Sequence, residues 1–413
     1  MKLLHAADIH LDSPLVGLAM YDEAPVDELR SATRRAFDAL VDLAIEERVG
    51  LLLLAGDIFD GDWPHWGTGR HFMLGMLRLQ DAGIPVVAVA GNHDAESKLT
   101  KSLSAPGNFT MLSSRRPDTW ISEELGIAVH GQSYATPAVV EDLAAGYPAP
   151  LPGMVNVGLL HTSADGRPGH ERYAPCTVRT LIDRGYGYFA LGHVHTREVL
   201  SQAPPIVFCG VLQGRGLREA GAKGATLIDI EEGVLHHEHR VLDVVRWAVV
   251  TVDAAGAEDL GEVCSRASVA IRDAARDADD RLLAAQLRIV GASAAHGALV
   301  LDPQRTRQEM ILAAAEGAGD QVWLQGTAID TVPESAVAGG GNDAVGELMS
   351  ELEEILASDG AIEDFGRMLA PLAGTLTPAA LEQFNPTDPA VIRDVLGEVR
   401  RTLPSALTQT VNR

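Results

Sequence analysis

The feature that most constrains this chain is a set of five short apolar runs, each of which stops on Asp, Asn or His. The central run, Ile84-Pro85-Val86-Val87-Ala88-Val89-Ala90, ends in Gly91-Asn92-His93-Asp94. Leu3 to Ala7 ends in Asp8-Ile9-His10, and Val49 to Ala55 ends in Gly56-Asp57. Val155 to Leu160 ends in His161, and Tyr188 to Leu191 ends in Gly192-His193-Val194-His195. Short, β-branched runs bounded by turn residues read as buried strands. In open α/β sheets, chemistry gathers at the carboxyl ends of such strands. Any one of these polar residues is an ordinary turn residue taken alone. Five strand ends with the same signature are not. In extended chain, residues i and i+2 point to the same side, so Asp8 with His10, and His193 with His195, can each reach one ion. Packing such groups together is costly unless a cation neutralises them. The pattern therefore predicts a metal site built from Asp8, His10, Asp57, Asn92, His161, His193 and His195.

The ordered blocks Asp-x-His, Gly-Asp, Gly-Asn-His-Asp, His and Gly-His-x-His resemble the signature of the calcineurin-like metallophosphoesterases, over roughly residues 1–240. Finer features are similar to the SbcD-like DNA repair exonuclease branch. These are Asp8-Ile9-His10-Leu11-Asp12-Ser13-Pro14, Gly56-Asp57-Ile58-Phe59-Asp60, and Gln213-Gly214-Arg215 followed by Glu219, Gly221, Lys223 and Gly224. The resemblance implies an α/β (α+β) fold in which helices flank a two-sheet β core. It also implies two divalent metal ions. The donors are nitrogen and oxygen only, a set that suits Mn²⁺ and leaves Fe and Zn open.

By the same resemblance, Asp8, His10, Asp57 and His195 hold one ion, and Asp57, Asn92, His161 and His193 hold the other. Asp57 bridges them. The ions activate a water for in-line attack on phosphorus. His93 then stabilises the phosphorane or protonates the leaving oxygen, and Asp94 orients His93. Two positions depart from the branch. Asp60 stands where some of its nucleases have a second histidine, with His65 nearby, and Val211 stands where many have Asn.

At 413 residues the chain is too long for one ordinary domain. We expect a catalytic domain over 1–242, a capping domain over 243–332 and a linker with a helical, partner-docking region over 333–413. The capping segment reads β-α-β-α-β. The linker contains Gly339-Gly340-Gly341. Beyond it, Val345, Leu348, Met349, Leu352, Ile355 and Leu356 have helical spacing, as do Val391, Ile392, Val395, Leu396 and Val399. These stripes serve either the protein's own body or a partner. The resemblance implies docking on an SbcC-like ATPase, and a homodimer.

The net charge of −24 counts against unaided wrapping of DNA, because phosphate contacts need Lys and Arg. Basic residues nevertheless recur near the site loops: Lys98, Lys101, Arg115, Arg116, Arg215, Arg218 and Lys223. Of these, Arg215 and Lys98 are the expected substrate contacts. Cys176, Cys209 and Cys264 read as small core residues. No leader-like segment precedes Asp8 and no apolar run approaches about 18 residues, so no membrane partner and a cytoplasmic location are expected. Three readings compete. The first is a metal-dependent DNA nuclease, the second a phosphodiesterase or phosphatase for a small phosphorylated substrate, and the third a scaffold with a vestigial site. The full ligand set counts against the third.

Overall fold

The computed structural model describes residues 1–15, 24–61, 66–96, 106–166, 173–334, 344–375 and 385–411. Lys98, Lys101, His65 and the triple-glycine linker lie outside the described residues. The chain divides into two units, residues 1–248 with 281–284, and residues 249–280 with 285–413.

In the first unit, the elements run β1 (Lys2–Ala6), α1 (Val26–Glu46), β2 (Leu51–Ala55), α2 (Gly67–Asp81), β3 (Val86–Val89), α3 (Asn92–Glu96) and β4 (Phe109–Met111). There follow β5 (Asp118–Ser122), β6 (Ile127–Gly131), β7 (Val155–His161), α4 (Val178–Asp183), β8 (Tyr188–Gly192), β9 (Glu198–Gln202) and β10 (Pro205–Phe208). The last two strands are β11 (Gly224–Glu231) and β12 (Val234–Val241). They form two six-stranded sheets, ordered β12-β11-β1-β2-β3-β4 and β5-β6-β7-β8-β10-β9. Strands β1 to β4 run parallel, as do β6, β7, β8 and β10.

Alternation within each strand explains the layering. Leu3, Leu51, Leu53, Val87 and Val89 meet Val129, Val157, Leu159, Ala190 and Val207 in the core between the sheets. The intervening Leu4, Leu52, Leu54, Val86 and Ala88 pack on Phe37, Leu40 and Val41 of α1 and Phe72 and Met76 of α2. On the second sheet, Leu160, Phe189, Leu191 and Ile206 cluster with Leu181 and Tyr186. Strands buried on both faces read as continuous apolar runs, as these do. Strands β4 and β5 lie outside the apolar runs of the sequence. The first has three residues, and the second is a partly exposed edge strand, Asp-Thr-Trp-Ile-Ser, so neither carries an apolar run.

In the second unit, β13 (Val245–Asp253), which begins in the first, leads to α5 (Leu260–Asp277), β14 (Leu282–Ala292), the short α6 (His296–Leu301), α7 (Pro303–Ala318) and β15 (Val322–Val332). The sheet order is β13-β14-β15. The Asp259 side chain caps α5 and that of Asp302 caps α7. The chain ends in α8 (Ala344–Ala357), α9 (Asp359–Ala373) and α10 (Pro389–Val411). These helices pack on one another, and α10 also packs on α6. Leu352, Ile362 and Ile392 are buried there, whereas Leu348, Val395 and Val399 stay exposed. The predicted stripes are thus only partly used by the fold, and α9 lies between them. No described helix is long and apolar enough to cross a membrane.

The close packing of the second sheet gives a direct test. Gly158 on β7 is the register partner of Phe189 on β8, and a Cβ at Gly158 would lie 2.3 Å from that ring. Gly158→Ala is expected to cost about 1–3 kcal/mol through overpacking. A urea melt should show a lower midpoint at unchanged slope. An unchanged midpoint would show that the ring has room to move.

Candidate metal centre

The carboxyl ends of β1, β2, β3, β7 and β8 converge on one edge of the sandwich. They place the residues that the sequence pattern singles out, Asp8, His10, Asp57, Asn92, His161, His193 and His195, close together there. Asp8, His10, Asp57 and His161 are almost wholly buried. Ligand atoms of Asp8, His10 and His195 lie within 4.8 Å of one another, as do those of Asp8, Asp57 and His161. A third such group, His10, Asp60 and His93, was not anticipated.

The backbone is bent sharply to achieve this. Asp8, His10, Asp57 and His193 have φ of 50°, 45°, 50° and 99°, in the left-handed region that L residues avoid. Such residues persist only where the surroundings over-determine them, and they cluster at functional sites. Here the bends are pinned by hydrogen bonds from Asp8 N to Gly56 O and from His10 N to Asp57 O, at 3.0 and 3.1 Å. Gly91 is required by close approach, since a Cβ there would lie 2.2 Å from Asp57 Oδ1.

Hydrogen bonds orient Asp8, Asp57 and His161. The His193 backbone N–H donates to both oxygens of Asp8, at 3.1 and 3.0 Å. The His93 backbone N–H donates to Asp57 Oδ1 at 3.0 Å. His161 donates from Nδ1 to the Ala55 carbonyl at 2.9 Å, and its Nε2 lies 3.0 Å from Asn92 Oδ1 and 3.4 Å from Asp57 Oδ2. Both ring nitrogens of His10 are buried without a hydrogen-bond partner, with Asp60 Oδ1 3.6 Å from Nδ1.

Charge and burial compete throughout the cluster. Burial raises the Asp8 carboxyl, against the pull of His161 and His195. Burial also pushes Asp57 up, but His161, His10 and His93 outweigh it and hold the carboxyl well below its usual range. Burial lowers His161, but Asp57 and Asp8 together bring it up to about 9.

These residues fit divalent cations. The set offers carboxylate, amide and imidazole donors without thiolate. It also leaves a buried imidazole, His10, with both nitrogens unsatisfied, a costly state unless something binds there.

The expected orientation of His93 by Asp94 is not what the structure shows. The Asp94 carboxylate accepts from the backbone N–H groups of Ile58, Phe59 and Gly91, at 3.2, 3.0 and 3.1 Å. It braces the loop behind Asp57. Burial, then the charge of Asp57, raises this carboxyl to about 6 against those three N–H groups. The carboxylate that meets the His93 ring is that of Asp60, 2.8 Å from Nδ1. Asp94 is turned inward because its first-turn position on α3 points it at the loop after β2. In the sequence Asp60 stands out only as a departure, and its spacing carries no sign of this role.

Arg215, expected as a substrate contact, is also engaged within the protein. Its guanidinium meets Glu219, Ser13 and Asp60, and its side chain is 19% exposed. Lys223 is buried, while Arg115, Arg116 and Arg218 are exposed. Lys98 lies outside the described residues.

Comparison with known proteins adds a family context. The profile of the calcineurin-like phosphoesterases matches residues 1–197, and that of the middle domain of the metallophosphoesterase YhaO matches residues 247–332. The chain is 32% identical over 264 residues to the uncharacterized metallophosphoesterase YhaO of Bacillus subtilis, covering 63% of this chain and 65% of the relative. It is 28% identical over 269 residues to the DNA double-strand break repair protein Mre11 of Sulfurisphaera tokodaii, covering 61% and 65%. The match thus spans less than two thirds of either relative. A crystallised dimetal phosphatase from Danio rerio overlaps 58% of this chain and 96% of its own, at 12% identity and a TM-score of 0.35, a likeness too loose to bear on chemistry.

The charged state of His161 generates a prediction. A ligating imidazole must be neutral, yet with its pKa brought up to about 9 His161 carries a proton at pH 7. Binding a divalent ion should therefore release about one proton, and affinity should climb as pH rises toward 9. Calorimetric titration of the metal-free protein with Mn²⁺, in buffers of different ionisation enthalpy, measures this. A binding heat independent of buffer would show that His161 is not displaced from its proton.

Proposed function

We propose, on the premise that residues 1–197 form a calcineurin-like metallophosphoesterase domain, that this chain is a metal-dependent DNA nuclease. In this reading it hydrolyses phosphodiesters, as an exonuclease, in DNA repair beside an SbcC-like ATPase in the cytoplasm. The observation that carries the hydrolytic part is the convergence of two buried carboxylates, an orphaned His10 and three further histidines on one edge. The DNA part rests on the Mre11 relatives and on the SbcD-like motifs.

Asp8, His10, Asp57 and His195 would hold one ion, and Asp57, Asn92, His161 and His193 the other, with Mn²⁺ the ion best matched to the donors. When bound, such ions supply Lewis acidity toward phosphate oxygens and a water that ionises near neutral pH. The protein's own part is positional. Asp57 anchors both halves of the donor set. His93, held at Nδ1 by Asp60, turns its other nitrogen to the leaving oxygen and hands it a proton. Asp94 keeps the loop under Asp57 rigid. The β13–β15 segment serves as a cap, and α8, α9 and α10 as the docking region for the ATPase or for a second copy of the chain. Their exposed Leu348, Val395 and Val399 supply the apolar contact.

One observation favours a small phosphorylated substrate instead. The chain carries a net −24, and two of the cations expected at the site rim, Arg215 and Lys223, are turned into the protein. Offering the purified protein, with Mn²⁺, single-stranded DNA, double-stranded DNA and a small phosphodiester separates the readings. Hydrolysis of the small ester alone would replace the nuclease assignment.

Two variants test the site on the preferred substrate. Asp57→Asn should abolish turnover and lower the metal content, because both ions lose their shared anion. His93→Ala should keep the metal and lose roughly 10²–10⁴-fold in turnover, the usual worth of a general acid. Metal loss in the second variant would make His93 a ligand. Ending the chain near residue 335 should leave an active nuclease that no longer co-purifies with the ATPase. Retained co-purification would move the docking surface elsewhere.

A further inference from the structure

The loop after β10 carries a pair of residues whose arrangement goes beyond the ligand set. His195 Nδ1 lies 2.7 Å from Glu219 Oε1. Glu219 is in turn forked by Arg215, whose backbone N–H donates to Oε2 at 2.8 Å, and whose Nη2 and Nε donate to Oε1 and Oε2 at 2.8 and 3.3 Å. The far side of the same guanidinium donates to Ser13 Oγ at 3.3 Å and stands 3.7 Å from Asp60 Oδ2. Ser13 itself donates to Asp60 Oδ2 at 2.5 Å.

The loop that presents this pair is held from below. Gln213 donates to the carbonyls of Gly214 and Val245, each at 2.8 Å, and accepts from the N–H groups of Val244 and Val245. Trp247 Nε1 donates to the Gly214 carbonyl at 2.9 Å. Side chains on such a braced loop have little freedom to adjust when a ligand arrives.

We infer that Glu219, locked by Arg215, is a positioning residue that sets the tautomer of His195. The inference rests on the reading of His195 as a metal ligand. A carboxylate in a two-pronged guanidinium pair is an acceptor only, so the 2.7 Å contact requires the proton on Nδ1. Arg215 Nη2 also lies 3.4 Å from Nδ1, but a guanidinium only donates, and the shorter contact to the anion wins. With Nδ1 protonated, the lone pair sits on Nε2, the nitrogen available to the Asp8–His10 group. Arg215 also reaches Asp60, the carboxylate at the His93 ring. One cation thus ties the orientation of a metal ligand to that of the proposed acid.

The test is a calorimetric titration of the metal-free full chain with Mn²⁺. The wild type should take up two ions. Glu219→Ala should weaken one site by about 10–100-fold and leave the other unchanged, the usual effect of removing a ligand's outer carboxylate. Arg215→Met keeps the His195–Glu219 bond and should weaken the same site by less. The melting temperatures of the metal-free forms control for folding. Unchanged affinity at both sites in Glu219→Ala overturns the positioning role, as does equal loss at both. Failure of the wild type to bind metal would instead overturn the proposed function, a result distinguishable from either.

Discussion

Two carboxylates, Asp8 and Asp57, are buried within a few ångströms of each other at the head of the first sheet, and much of the structure around them answers that fact. An unpaired charge removed from water costs several kcal/mol, and two like charges aggravate it. Relief comes from His161, drawn to its charged form between them, and from backbone N–H groups of His193 and His93 aimed at the oxygens. Reaching that arrangement puts four non-glycine residues at positive φ. Strain of this kind, of order 1–3 kcal/mol per residue, is tolerated only on a rigid support. The doubly buried strands of the two sheets supply it.

Three further carboxylates surround the centre, and each performs a different task because each sits in a different environment. Asp94 is buried among backbone donors and holds a loop. Asp60 takes a serine hydroxyl and the His93 ring, and lies well below its usual range because the histidines beside it and Ser13 outweigh burial. Glu219 faces His195 and Arg215, which likewise outweigh its burial. Residue type alone would rank these three acids as equivalent.

Electrostatics at the rim is less positive than the residue count near the site suggests. Arg215 is neutralised by Glu219 and Asp60, and Lys223 is buried, which leaves Arg115, Arg116 and Arg218 exposed among the described residues. Against a net charge of −24, recognition of a long polyanion would then depend on local geometry and on a partner more than on a broad basic field.

The sequence by itself determined the apolar strands and the polar residues at which they stop. A strand buried on both faces must be apolar throughout, so the residue at which it stops stands out, and Asp8, Asp57, Asn92, His161 and His193 could be read from that contrast alone. The β-α-β-α-β order after Val245 was legible for a related reason, since periodicity is local, but the short α6 between β14 and α7 was not. Strands β4 and β5 were not, because a three-residue strand and a polar edge strand carry no such contrast. Nor was the wiring between side chains. That Asp60 and not Asp94 meets His93, and that Arg215 turns to Glu219, Ser13 and Asp60, depends on loops far apart in the chain meeting at one edge. Periodicity records which face a residue shares with its near neighbours. Hydrogen-bond partners some 200 positions away are chosen only when the sheets close and the loops pack.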